Sequence, residues 1–79
     1  MTGKRNSRAE LLAAWRDVAG PAAASQTSIH GFRSGVVTVA VNSAPLCHEL
    51  ELFRKEELLN ALRVRYRDQY VQDLRFRLV

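Results

Sequence analysis

The chain has one cysteine, two prolines and four glycines among its 79 residues, and it has no long apolar run. A single cysteine, Cys47, cannot form a disulfide within the chain, and we expect it to be a small core residue. The longest apolar stretches are far shorter than the ~18 to 20 residues that span a bilayer. The polar start MTGKRNSRAE lacks the apolar core of a signal peptide. We therefore expect a cytoplasmic protein without membrane contact.

Side chains suited to catalysis or metal binding are scarce. Cys47 and His48 are adjacent, so on a helix they point about 100° apart and do not easily share a metal ion. No CxxC or HExxH pair is present. A dyad of Cys47 with His30 remains open, although no activating neighbour points to it. The sequence predicts no catalytic residue, no metal, no cofactor and no small-molecule substrate.

Charge is distributed unevenly along the chain. The formal net charge is +4, with 47% hydrophobic and 25% charged residues, as in an ordinary globular protein. Residues 1–8 carry a net +3, residues 9–62 a net −2, and residues 63–79 a net +3. Two basic ends around a mildly acidic middle favour contact with an anionic partner, most simply nucleic acid. The alternative is an ordinary solvated surface, because a GC-rich genome also produces an arginine-rich chain.

The first half of the chain predicts an arm, a helix and a hairpin. Residues 1–7 resemble a flexible basic arm, and residues 8–79 one domain. Apolar residues at helical spacing follow, and Gly20 and Pro21 interrupt the helix before a short second one. Residues 26–33 are a weaker strand candidate, in which Gly31 suggests a bulge or a close approach. The first helix directs an apolar stripe inward: Leu11, Leu12, Trp15, Val18 and Ala19.

Gly35 to Leu50 is the most informative stretch, because a strand pattern passes there into a helix pattern. Val37, Val39 and Val41 share one face of an extended strand. The turn at residues 33–35 predicts antiparallel pairing with the preceding strand. Ser43 can cap a helix start, and Pro45 suits the first helical turn.

The second half predicts a long helix and a last strand. The helix runs from Ala44 to about Tyr66, and alternation resumes over residues 71–79. In that last strand Arg75 and Arg77 lie on the polar face. Residues expected to point inward to varying degrees are Leu46, Leu50, Phe53, Leu58, Leu59, Leu62 and Tyr66 in the helix, and Leu74, Phe76 and Leu78 in the strand.

The order of elements predicts an α+β fold. The order is α-(α)-β-β-α-β, and a three-stranded sheet needs its apolar face covered. Amphipathic helices packed on that one face would cover it. The order of the strands within the sheet stays open.

Arginines carry the binding hypothesis. If the outer face of the sheet is open, Arg75 and Arg77 form a stripe that contacts a phosphate backbone. Trp15 is expected to be a core anchor, whereas Phe32, near the hairpin tip, is a candidate for base stacking. The predicted nucleic-acid-binding residues are Lys4, Arg5, Arg8, Arg33, Arg63, Arg65, Arg67, Arg75 and Arg77.

The order of motifs resembles one known family. LLAAWRDVAGPAAA is followed by GVVTVAV, then NSAPLCHELELFRKEELLNAL, and finally VQDLRFRLV. Over about residues 8–79 this order is similar to the N-terminal domain of the DciA family, the bacterial helicase operators formerly classed as a domain of unknown function. Family members commonly continue into a flexible C-terminal extension, and the family's second tryptophan corresponds here to Cys47 or a neighbour.

The resemblance implies a KH-like domain that binds DNA and assists the replicative helicase DnaB, without catalytic activity. KH domains bind through a GxxG loop, and this sequence has none. The expected function is therefore a noncatalytic accessory module for DNA replication, with DnaB and single-stranded or forked DNA as partners. Two alternatives stay open: an RNA-binding KH-like module, and a pure protein-interaction or dimerisation module.

Overall fold

The computed structural model describes residues 7–79, and the predicted class and element order are both confirmed. Residues 1–6 of the predicted arm, with Lys4 and Arg5, lie outside the described residues. The elements in chain order are α1 (Ser7–Ala19), α2 (Pro21–Ala24), β1 (Thr27–Arg33), β2 (Val36–Val41), α3 (Ala44–Glu49), a π turn (Leu50–Arg54), α4 (Lys55–Arg65) and β3 (Asp73–Leu78).

A two-residue turn joins β1 to β2 and confirms the predicted antiparallel hairpin. Arg33 pairs with Val36, so Ser34 and Gly35 alone form the turn. Both have positive φ, 53° and 81°, as a type I′ turn requires. The carbonyl oxygen of Gly35 accepts a hydrogen bond of 2.7 Å from the backbone N–H of Gln72. The turn therefore also holds the segment that leads into β3.

The predicted irregularity in β1 is a β-bulge. Ile29 pairs with Val39 and Gly31 pairs with Thr38, so His30 is the extra residue between them. A bulge leaves its extra residue out of the ladder and bends the strand. On each side of the bulge the side chains of β1 alternate between the two faces of the sheet, and across the bulge this pattern shifts by one residue.

The sheet has the order β1-β2-β3, with β2 in the middle and β3 parallel to it. A parallel neighbour needs a crossover connection, and α3, the π turn and α4 supply it. The Ser43 side chain caps α3 by accepting from the N–H of Leu46 at 3.4 Å, as predicted. One face of the sheet packs under the helices: Val37, Val39, Val41 and Leu74 are fully buried.

A π turn corrects the prediction for the long helix. Phe53 was expected to point inward, but it is 76% exposed. Twelve residues of regular α-helix from Leu50 to Leu62 would rotate the second side chain by about 120° from the first. A π turn adds one residue to the turn and cancels most of that rotation. Leu50 and Leu62 therefore face the same core, while Phe53 is turned towards solvent.

Two other residues expected to face inward are exposed. Leu12 lies about 100° around α1 from the buried Leu11, at the margin of the apolar stripe. Leu78 is the last residue of β3, an edge strand. Both expectations were wrong because periodicity identifies the apolar face of an element but does not show how far neighbouring elements cover that face.

Trp15 anchors the core, as predicted. Its indole N–H donates to the Thr27 hydroxyl at 2.8 Å, and that hydroxyl donates to the carbonyl oxygen of Ala23 at 2.9 Å. The indole ring also lies 6.1 Å from the ring of Phe76, between centroids. One side chain thus joins α1 to α2, β1 and β3. Cys47 was expected to be a core residue. It is half-buried and packs against the core cluster, so it lies at the margin of the core.

Candidate nucleic-acid interface

The sheet has a second face, which alternates along each strand with the buried one. We call it the open face, because its side chains are exposed or half-exposed except for the small Ala40. The strand register places the following residues on it: Ser28, His30 and Arg33 from β1, Val36, Thr38 and Ala40 from β2, and Asp73, Arg75 and Arg77 from β3.

The open face is a shallow trough with cationic edges. The middle strand supplies only small side chains, whereas the arginines come from the two outer strands. Arg75 and Arg77 are two residues apart, about 6.6 Å along the strand. Arg33 lies on the other edge, in the row of Asp73, so it is two strand spacings of about 4.8 Å across the sheet and about 6.6 Å along the strand from Arg75. A polyanionic chain lying on the open face would therefore meet guanidinium groups on both sides.

These three guanidinium groups have few competing partners. The side chains of Arg33 and Arg77 make no hydrogen bond or ion pair with any of residues 7–79. Within the same range Arg75 makes one polar contact, with its Nε 4.0 Å from a carboxylate oxygen of Asp73, and its side chain is 70% exposed. Exposed pairs at this distance contribute little. All three charges are available to an external anion.

Arg63, in contrast, has a structural role. Its Nε donates to the carbonyl oxygen of Val71 at 2.7 Å, and a terminal nitrogen donates to that of Gln72 at 3.0 Å. The guanidinium carbon also lies 4.9 Å from the centroid of the Tyr70 ring, in cation–π geometry. Arg63 therefore fastens the segment before β3 to α4.

The other predicted arginines lie on the helical side. Arg65 forms an ion pair with Asp17 of α1, and both side chains are about half exposed. Arg8 donates to the carbonyl oxygen of Ile29 at 3.4 Å, which connects α1 to β1. Arg67 is exposed just beyond the end of α4. The structure thus brings together Arg33, Arg75 and Arg77, and it places Arg8, Arg63, Arg65 and Arg67 elsewhere.

The open face contains a hollow of about 600 Å³ between the hairpin and β3. Its lining includes His30, Gly31, Val36 and Thr38, with Arg33 and Arg75 at its margin. Sequence reasoning missed His30 and Thr38 as parts of a surface. Their alternation with buried neighbours was a usable signal, but the covered face of the sheet had to be known first.

Phe32 is among the residues that line the hollow, but its ring is directed towards the covered face and not towards the open face. It pairs with Val37 on the covered face, and its ring packs edge-on against Tyr66, with 6.0 Å between centroids. Cys47 and His30 are not brought together either, because Cys47 packs against the core and His30 lies on the open face.

Among residues 7–79 no three His, Cys, Asp or Glu side chains are grouped to hold a metal ion. No helix in that range is long and apolar enough to cross a membrane.

These features define a small α+β domain with a mixed three-stranded sheet, covered by helices on one face and basic on the other. A family model described as "Dna[CI] antecedent, DciA" matches residues 1–76, and the chain belongs to this family. Membership implies a role related to loading of the replicative helicase DnaB and association with that helicase, in an accessory family not known for catalysis. No curated protein matches the chain significantly.

Proposed function

We propose that the protein is a noncatalytic accessory module of DNA replication in the cytoplasm. It binds single-stranded or forked DNA on the open face while another surface engages DnaB. The observation that carries the DNA half is the gathering of Arg33, Arg75 and Arg77 around one uncovered trough. Family membership carries the helicase half.

Electrostatics supports the open face over the helical side as the DNA surface. A bound phosphate gains most from a guanidinium that need not first leave another partner. Arg63 and Arg65 would have to give up backbone carbonyls and a carboxylate to bind DNA. Arg75 gives up one contact at 4.0 Å, and Arg33 and Arg77 give up none within the described range.

A KH-like domain could instead bind RNA, and the same trough would serve. Without a GxxG loop, the chain must bind either polymer on a surface other than the usual KH groove. The family's link to helicase loading favours DNA. A side-by-side titration of tailed DNA and structured RNA, at matched length and salt, separates the two. Tighter binding of the RNA would favour the alternative.

Two apolar side chains form the best candidate helicase contact. Leu52 and Phe53 lie side by side in the π turn and are 59% and 76% exposed. Aromatic rings such as that of Phe53 are enriched in the cores of protein interfaces, and Leu52 extends the apolar surface beside it. The helicase half of the proposal is therefore assigned to this surface, which lies on the π turn beside Asp73 and leaves Arg33, Arg75 and Arg77 free for DNA.

The DNA half is tested by removing two charges from one face or the other. Arg75→Gln/Arg77→Gln should lower affinity for single-stranded DNA at least roughly tenfold at ~50 mM salt, because two phosphate contacts are lost. The slope of log K against log salt should fall by about 1.4. The control Arg16→Gln/Arg54→Gln has the same net charge but lies on helices, and it should bind like the wild type. Equal loss in both variants would mean that only net charge matters. No binding by the wild type would leave the pure protein-interaction module.

The helicase half is tested with purified DnaB. Leu52→Ser/Phe53→Ser should lose most DnaB binding in a pull-down and retain DNA binding. The matched control is Val64→Ser/Leu78→Ser, which changes two other exposed apolar residues. If both double variants bind DnaB as the wild type does, the contact surface lies elsewhere.

A further inference from the structure

We propose that the hollow on the open face seats one unpaired nucleobase of a bound single strand. Arg33 and Arg75 would then hold the phosphates on its two sides. This inference rests on the proposed DNA binding and adds a base-contacting subsite to it. It assigns a role to His30, Gly31 and Thr38, which lie between the arginines of the trough.

The hollow exists because the chain has a glycine at the bulge. A Cβ atom added to Gly31 would meet no heavy atom within 4 Å, so the space above the strand is empty there. Gly31 pairs across the sheet with Thr38, and Thr38 pairs in turn with Arg75. Across the sheet from β1 to β3, this row therefore has no side chain at Gly31, a small side chain at Thr38 and a guanidinium group at Arg75. At about 600 Å³ the hollow falls within the ~300–1,000 Å³ of typical ligand sites.

The lining has the chemistry that a base requires. His30 lies exposed at one side, and imidazole rings are among the groups on which bases stack. Val36 and the Gly31 backbone provide a floor for the flat ring. The Thr38 hydroxyl makes no side-chain hydrogen bond within residues 7–79, so it can donate to or accept from a base edge.

The same geometry excludes a paired base. In a duplex each base is stacked on both sides and its pairing edge is occupied, so entry would require flipping at a cost of a few kcal/mol. The arginines at the margin can contact either form through phosphate. The hollow therefore adds affinity for single strands only. Because it is wide and open, it should accept different bases, as stacking sites commonly do.

Filling the hollow without changing charge tests this assignment. Gly31→Val places two methyl groups in the empty space, and the φ of Gly31 is not positive, so the strand accepts the side chain. Affinity for an oligothymidylate of about 12 nucleotides should fall roughly 5- to 150-fold, as expected for one lost stacked base. Affinity for a blunt duplex should not change. The control Ser28→Val places the same side chain on the same strand and face outside the hollow, and it should bind both DNAs normally.

A second variant keeps the test valid if valine disturbs the bulge. His30→Ala removes the stacking ring and adds no bulk, and His30→Phe restores a ring. The first should weaken single-strand binding and the second should recover it, with circular dichroism confirming an unchanged fold. The wild-type protein should bind an oligonucleotide of equal charge, with abasic sites in place of the thymines, as weakly as Gly31→Val binds the oligothymidylate.

The outcomes separate this inference from the proposed function. Unchanged single-strand affinity in Gly31→Val and His30→Ala, or equal losses for single strand and duplex, would overturn the base seat. DNA binding through Arg75 and Arg77 would survive either result. If the wild type binds no DNA at all, the proposed function fails first, and the base seat fails with it.

Discussion

The two faces of the sheet differ sharply although they are built from the same three strands. On the covered face Val37, Val39 and Val41 are fully buried beneath helices. On the open face the alternate residues of the same strand, Val36 and Thr38, are half-exposed between arginines. A period of two lets one strand supply the core with every second residue and a ligand surface with the others. Stability and binding should therefore be separable by mutating adjacent residues.

The largest effect should come from neighbours in β3 that point in opposite directions. Leu74→Ala opens a cavity in the core and should lower the free energy of unfolding by about 2–5 kcal/mol. Arg75→Ala should change it by less than about 0.5 kcal/mol, because the only ion pair that Arg75 forms within residues 7–79 is exposed. Urea denaturation of both variants measures the difference. Similar losses from the two would show that the open face also carries stability.

Two glycines at the hairpin should give effects of opposite sign. Gly35→Ala should cost about 1–2 kcal/mol, since alanine at φ 81° is strained and its Cβ would lie 3.0 Å from Cγ of Gln72. Gly31→Ala should be neutral or stabilise by up to about 1 kcal/mol, because its added methyl meets nothing. Thermal denaturation followed by circular dichroism compares them. A loss in Gly31→Ala as large as that in Gly35→Ala would contradict the assignment of Gly35 alone as conformationally required.

The smallest effect is expected on the helical side. Arg65→Gln removes an exposed ion pair with Asp17 and should cost less than about 1 kcal/mol. Its salt dependence of single-strand binding should match that of the wild type. Arg77→Gln removes one charge as well, and it should lower the slope by about 0.7. Equal slopes for the two variants would remove the distinction between the faces.

Local patterns in the sequence predicted most of the fold. The turn at Ser34 and Gly35, the bulge at Gly31 and the cap at Ser43 each depend on one or two residues with special backbone or hydrogen-bonding properties. Such signals act within a few positions, and all three predictions were confirmed. The prediction that Phe53 points inward was wrong, because periodicity alone assumes a regular helix. A π turn depends on how a long helix fits against its core.

The candidate site was predictable only in part. Arg75 and Arg77 were identified as a stripe by their alternation with Leu74 and Phe76, and they do lie on the uncovered face. Arg63 and Arg65 looked equivalent by charge, yet one holds backbone carbonyls and the other a carboxylate. A sequence shows which residues are charged. It does not show which carbonyl or carboxylate groups bind them, because those groups come from distant segments.

The sequence by itself determined the elements, the hairpin and the positions of charge, because turns, caps and periodicity depend on near neighbours. Only the tertiary structure decided which face of β2 is buried, since its two faces are both largely apolar. It also decided that β3 lies parallel beside β2, which places Arg75 next to Thr38, on the edge of the trough that faces the edge of Arg33. That choice depends on helices and strands packing across the whole chain. The trough, its cationic edges and its hollow are products of that packing.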